Sequence, residues 1–169
     1  MNSINKIDYI SKWIKDYVSA LNFQPASLII GVSGGIDSAV TSTLCAKTGF
    51  KTIAISMPIK QNINQHNLSL KHLDWLKKNF DNVDTKVIEL DNVFKSFENT
   101  MKDFSNSLAF ANSRSRLRMV TLYQIAQANS GIVVGTGNKV EDFGVGFYTK
   151  YGDGGVDISP IADCTKTDV

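Results

Sequence analysis

The sequence predicts an α/β protein: an open parallel sheet with helices on both faces, arranged as a three-layer sandwich. Three observations carry this. Short apolar runs rich in β-branched residues alternate with amphipathic stretches at helical spacing. The run at residues 27–32 (SLIIGV) lacks polar alternation, the mark of a strand buried on both faces. A glycine- and serine-rich turn then stands between that strand and the next helix, where parallel sheets place their ligand loops.

Each element has its own signal. Residues 4–21 carry Ile7, Ile10, Trp13, Ile14, Val18 and Leu21 at helical intervals. Residues 37–48 return to a helical pattern, with Gly49 as its natural terminator. Residues 52–57 (TIAISM) predict a second strand, closed by Pro58. Residues 64–80 predict a third helix, with Leu68, Leu73, Leu76 and Phe80 on its apolar side. Residues 85–90 (TKVIEL) predict a third strand, 92–104 and 108–128 helices, and 131–135 (GIVVG) a fourth strand. From 138 to 160 the chain turns glycine-rich and irregular, while the polar segment 60–66 after Pro58 has the composition of a flap.

The 169 residues suffice for one compact domain and are marginal for two. Eighteen basic and 16 acidic residues leave a net charge of +2, which argues against nucleic acid or an anionic membrane as a partner. Cys45 and Cys164 stand alone, without CxxC pairing, so the sequence fits a reducing cytoplasm rather than a disulfide scaffold. The N-terminal helix pattern is broken by charges, unlike a signal peptide or a membrane span.

The chemistry concentrates after the strands. Gly31-Val32-Ser33-Gly34-Gly35-Ile36-Asp37-Ser38 joins a predicted strand to a predicted helix. Adjacent glycines let the backbone approach a ligand, and the helix start offers free N–H groups to an anion. Ser33 and Ser38 add hydroxyls. Asp37 repels phosphate unless a bound Mg²⁺ bridges them; the plainer reading makes it a helix N-cap. The loop resembles the pyrophosphate loop of the N-type ATP pyrophosphatases, whose members split ATP between the α- and β-phosphates. That likeness implies a Rossmann-like, adenine nucleotide alpha hydrolase-like fold.

Three further segments choose within that superfamily. Asn112-Ser113-Arg114-Ser115-Arg116-Leu117-Arg118-Met119 lies on a predicted helix, with Arg114 and Arg118 on one face and Arg116 on another. Read alone it is a solvated basic face. It resembles the NxxxRxRM element of NAD synthetases, which implies that Arg116 contacts the dinucleotide substrate. Gly135-Thr136-Gly137-Asn138-Lys139-Val140-Glu141 follows the fourth strand. Its likeness to the same family implies that Thr136 contacts ATP and that Glu141 shares Mg²⁺ with Asp37. The segment at residues 147–157 (FYTKYGDGGVD) is too rich in glycine, tyrosine and aspartate for a helix or strand. It resembles the family's FFTKYGDGGxD segment, which implies that Lys150 and Asp157 bind deamido-NAD (nicotinic acid adenine dinucleotide). Lys166 matches a lysine on the ATP phosphates. From Glu141 to Lys150 the chain is one residue longer than the common family form.

The resemblance identifies residues 1–169 as a single NAD synthetase domain, without the C-terminal part that family members add. It implies an ammonia-dependent ligase that forms a C–N bond. Deamido-NAD, ATP and ammonia are its substrates, Mg²⁺ its metal and an acyl-adenylate its intermediate; this is the last step of NAD biosynthesis. Ser33, Asp37 and Lys166 stabilise the charge, and Asp153 is the candidate general base. A homodimer is implied as well; the apolar surface around Met119, Leu122, Tyr123 and Ile125 supplies either its interface or a core face. The rival readings are another N-type pyrophosphatase, GMP synthetase-like or tRNA-modifying, and a nucleotide-binding module without turnover.

Overall fold

A computed structural model describes residues 3–169. Four parallel strands form one sheet in the order β3-β2-β1-β4. Helix α1 (Ser3–Ala20) leads into β1 (Ser27–Gly31), α2 (Ile36–Lys47), β2 (Thr52–Ser56), α3 (Ile63–Asn79) and β3 (Val83–Val87). Helix α4 (Asp91–Thr100), a short 3₁₀ turn (Lys102–Phe104), α5 (Ser107–Ala128) and β4 (Gly131–Val134) follow. Among the described residues, no helix is long and apolar enough to cross a membrane.

Strand alternation divides the interior into two cores. Leu28 and Ile30 of β1 pack with Ile14, Val18, Leu44, Leu73 and Leu76 from α1, α2 and α3. Ile29, one residue out of phase, faces Phe94, Met119, Leu122 and Ala126 from α4 and α5. Leu28, Ile29 and Ile30 are all fully buried. Each such aliphatic side chain contributes roughly 1.5–3 kcal/mol of transfer free energy. This is the predicted three-layer sandwich, with β1 in the middle because its side chains are apolar on both faces.

The third strand departs from the sequence reading. It spans Val83–Val87 rather than 85–90, because its register is fixed by pairing Thr52 with Val83 and Ser56 with Val87. It lies at the sheet edge, and only Val83 is buried, so polar residues are tolerated along it. The apolar residues beyond it turn away: Leu90 is buried in the second core just before α4. The predicted flap is likewise partly regular, since its last four residues form the first turn of α3, where the Asn62 side chain accepts from Asn64 N–H.

Met119 and Leu122 prove to be core residues and Ile125 packs against them, so of the expected apolar surface on α5 Tyr123 stays exposed, alongside Leu108 and Val120. After β4 the chain is irregular. Ile158 makes a lone parallel bridge with Val134, and Gly135 N–H donates to the Ile158 carbonyl at 2.8 Å. A wide helical turn at Glu141–Val145 is kinked at Gly144 (φ −118°, ψ −116°).

Candidate active site

The turn between β1 and α2 is built around Gly34. Its φ of +90° lies in the left-handed region, and a Cβ there would stand 2.2 Å from the Gln65 carbonyl oxygen. Only glycine allows α3 to pack this closely on the turn. The hydroxyls bond within the turn: Ser38 Oγ accepts from Ser33 N–H at 3.2 Å and donates to the Gly35 carbonyl at 2.9 Å, while Ser33 Oγ accepts from Gly35 N–H at 3.2 Å. Gln61 Nε2 donates to the Ser33 carbonyl at 2.7 Å and ties the loop after β2 to the same turn.

Gly35 occupies the N-cap position of α2, with no side chain capping the helix. The helix start therefore keeps donors that an anion can take. The N-cap reading of Asp37 is thereby corrected: Asp37 stands in the first turn of α2, and its carboxylate faces away toward the end of the chain. Asp37 Oδ1 accepts from Asn138 Nδ2 at 3.1 Å, and Oδ2 meets the Lys166 ammonium. Lys166 Nζ also reaches Glu141 Oε1 at 3.0 Å. The hydrogen bond to Asp37, helped by Glu141, raises the Lys166 pKa above its ordinary value. Among the described residues no group of three or more His, Cys, Asp or Glu side chains could hold a metal ion. Asp37 and Glu141 are a pair already gathered round one cation, and two carboxylates suit Mg²⁺, which draws its other ligands from water and phosphate.

Helix α5 presents its arginines in different directions, as the spacing predicts. The Arg114 guanidinium lies over the Phe94 ring, 5.6 Å from its centroid. Arg118 Nε donates to the Met57 carbonyl at 3.0 Å; burial, with Arg114 nearby, lowers its pKa. Arg116 points to the glycine-rich segment, where its Nε donates to the Lys150 carbonyl at 3.1 Å. The structure thus brings Arg116 and Lys150 together.

That segment is fastened by two aspartates. Asp153 Oδ1 accepts from Ser115 Oγ at 2.7 Å and from Thr149 N–H at 3.0 Å. Asp153 N–H donates to Ser115 Oγ at 2.9 Å, closing a reciprocal link between the segment and α5. Asp157 Oδ2 accepts from Val133 N–H at 2.7 Å on β4, and Asp157 Oδ1 accepts from Tyr123 Oη at 3.0 Å. Burial, with Asp157 beside it, pushes the Tyr123 phenol up to about 12.

A cavity of about 540 Å³ opens at the carboxyl ends of the strands. Gly31, Val32, Ser33, Thr136, Arg114 and Asp153 are among its walls. Ile36, by contrast, is exposed on the outer side of α2. Sequence reasoning singled out the turn, Thr136, Glu141 and Lys166. It assigns no role to Gln61, Ser115 and Asn138, whose only signal is a polar side chain within a segment recognised for other residues.

The parallel order, with a glycine- and serine-rich turn and a cavity at the carboxyl ends of the strands, defines a Rossmann-like α/β domain. Within that class the chain belongs to the NAD synthase family, whose model matches residues 6–169. The NH(3)-dependent NAD(+) synthetase of Mesoplasma florum is 38% identical over 168 residues, covering 96% of this chain and 65% of the relative. That of Finegoldia magna is 37% identical and covers all of this chain and 67% of the relative. This chain thus spans just under two thirds of the Mesoplasma relative's length. Among solved structures, NMN synthetase from Francisella tularensis superposes with a TM-score of 0.87 at 32% identity, over 99% of this chain and 68% of that one. The NH3-dependent NAD synthetase from Campylobacter jejuni gives 0.87 at 28%, over 99% and 70%.

Proposed function

We propose that this chain catalyses the ATP-dependent amidation of deamido-NAD with ammonia, giving NAD, AMP and pyrophosphate. The observation that carries the reading is the meeting of Glu141 and Lys166 with Asp37 of the 33–38 turn, whose Ser33 lines the cavity together with Thr136. Family membership supports the choice of reaction.

In the first step a carboxylate oxygen of the substrate attacks the α-phosphorus of ATP. The bond to the bridging oxygen breaks, and its electron pair leaves with pyrophosphate. N–H groups of Gly34 and Gly35 and the Ser33 and Ser38 hydroxyls, once released from their bonds within the turn, stabilise the charge that builds there together with the Lys166 ammonium. The remaining members of the turn, Gly31, Val32 and Ile36, supply its backbone. Asp37 and Glu141 would hold Mg²⁺, which would offset the charge of the triphosphate. In the second step ammonia attacks the acyl carbon of the adenylate, loses a proton, and AMP departs.

Arg116 and Lys150 hold the dinucleotide from the α5 side, and Asp157 braces the glycine-rich segment against β4 and α5. Asp153 is assigned to holding that segment on α5, because its carboxylate already accepts from Ser115 and Thr149. Its candidacy as general base is settled by the Asp153→Asn pH profile described below. The active unit is a homodimer in the cytoplasm, joined through the exposed apolar residues of α5.

The test is ATP–pyrophosphate exchange by the purified chain with Mg²⁺. Exchange that requires deamido-NAD, followed by ammonia-dependent release of NAD, is the expected result. Exchange supported by nicotinic acid mononucleotide instead would move the substrate to the mononucleotide, the reading that the Francisella likeness favours. ATP binding without any exchange would instead establish a nucleotide-binding module without turnover.

A further inference from the structure

Asn138 is a polar side chain with no solvent exposure at all, an uncommon fate for asparagine. Every polar atom of its amide has work near the two acids. Nδ2 donates to Asp37 Oδ1 at 3.1 Å, across 101 residues of sequence. Oδ1 accepts from Val140 N–H at 2.9 Å and from Glu141 N–H at 3.2 Å. One amide therefore grips the carboxylate of the first acid and the backbone of the second.

The division of oxygens on Asp37 gives this grip a chemical meaning. Oδ1 is occupied by Asn138, which leaves Oδ2 turned to the cation, here the Lys166 ammonium. Glu141 is fixed at the start of its turn by the same amide and offers Oε1 to that ammonium at 3.0 Å. Rotation of Asp37 about its last bond, or a shift of the Glu141 turn, would separate the two oxygens.

We propose that Asn138 is the positioning residue of the cation site, holding Asp37 and Glu141 at one fixed separation so that they bind a divalent ion together with ATP. The inference rests on the function proposed above, and it concerns a residue that touches neither ATP nor the reacting atoms. Residues that orient metal-binding groups from behind typically change metal affinity by about 10–100-fold when removed.

The experiment compares wild type, Asn138→Ala and Asn138→Ser by Mn²⁺ titration in the presence of ATP, read by electron paramagnetic resonance. ATP binding without metal, in EDTA, and thermal unfolding are measured alongside. The serine hydroxyl still accepts from N–H groups two and three residues on, so that variant keeps the turn, but it is too short to reach Asp37. The expected result is a rise of about tenfold or more in the Mn²⁺ half-saturation of both variants. Metal-free ATP binding stays close to wild type, and Asn138→Ser unfolds near the wild-type temperature. Unchanged Mn²⁺ saturation in folded Asn138→Ser overturns the proposal. So does an equal loss of metal-free ATP binding, or failure of both variants to fold, which assigns Asn138 to the fold alone. Wild type that binds no Mn²⁺ with ATP overturns the functional reading itself and this inference with it.

Discussion

The Lys166 ammonium lies 3.0 Å from Glu141 Oε1 and meets Asp37 Oδ2 as well, so a cation from the chain itself stands between the two acids proposed to hold Mg²⁺. Lysine and metal compete for the same two oxygens. A divalent ion enters only as the ammonium withdraws, and the triphosphate tail is the partner that can receive it. Removing the ammonium with Lys166→Met therefore acts in opposite directions on two ligands. Mn²⁺ alone binds several-fold more tightly, and ATP binds more weakly, both measurable by titration. Thermal stability falls little, because Lys166 is about half exposed and such pairs contribute about 0–1 kcal/mol. Weaker Mn²⁺ binding by the variant would remove the competition argument.

Gly34 offers a second test, one of backbone rather than charge. Gly34→Ala places a Cβ 2.2 Å from the Gln65 carbonyl oxygen, at a φ of +90°. The left-handed conformation alone costs about 1–2 kcal/mol for a residue with a Cβ. The clash is with backbone, so either the turn or α3 must move. The expected outcome is a lower unfolding temperature and at least a tenfold loss of ATP affinity, taking about 1.4 kcal/mol per factor of ten. Wild-type ATP binding in this variant would show that the turn does not cradle the phosphates.

The turn was legible in the sequence because its signals are local: a strand, two glycines, two serines and a helix within a dozen residues. The two-faced burial of β1 was legible for the same reason. The partners of that turn were not. Lys166 lies 129 residues from Asp37, and no spacing rule joins them; only the family likeness placed the lysine near phosphate. Asn138 was passed over because an asparagine in a turn after a strand has an ordinary explanation in turn chemistry. The polar residues at the start of the edge strand β3 resemble a loop, so the sequence alone places that start at 85 rather than 83; its true limits are set by the neighbouring β2.

Asp153 separates a structural task from a chemical one. Its carboxylate accepts from Ser115 Oγ and Thr149 N–H, and an asparagine side chain retains an acceptor for each. Asp153→Asn is therefore expected to keep the shape of the pH–rate profile and to lose about 1 kcal/mol of stability. Asp153→Ala removes the acceptor for the Ser115 hydroxyl and Thr149 N–H, and lowers stability by about 1–3 kcal/mol. Loss of the basic limb of the rate profile in the asparagine variant would instead make Asp153 the proton acceptor.

The Tyr123–Asp157 contact sets a pH dependence with a definite sign. Burial, with Asp157 next, pushes the phenol up to about 12, against about 10 in an unfolded chain. The folded protein holds this proton more tightly than the unfolded one, so the contribution is complete below about pH 10 and disappears as pH rises through about 12. Absorbance titration near the tyrosinate band should show a late step that vanishes in Tyr123→Phe and moves to lower pH in Asp157→Asn. A late step unaffected by either substitution would place the perturbed phenol elsewhere.

The last prediction concerns assembly. Helix α5 buries Met119, Leu122 and Ala126 against the sheet, yet Leu108 and Val120 on its other sides remain 64% and 65% exposed. An exposed valine contributes little to the fold of one chain, but at the centre of an interface it excludes water from its partner. Val120→Asp puts a carboxylate there, which a buried contact cannot solvate. If α5 joins two copies, the variant sediments as a monomer where wild type is a dimer. The wild-type unfolding temperature then depends on concentration, and that of the variant does not. A variant that keeps the dimer mass would take α5 out of the interface, and a wild type that is already monomeric would end the homodimer proposal.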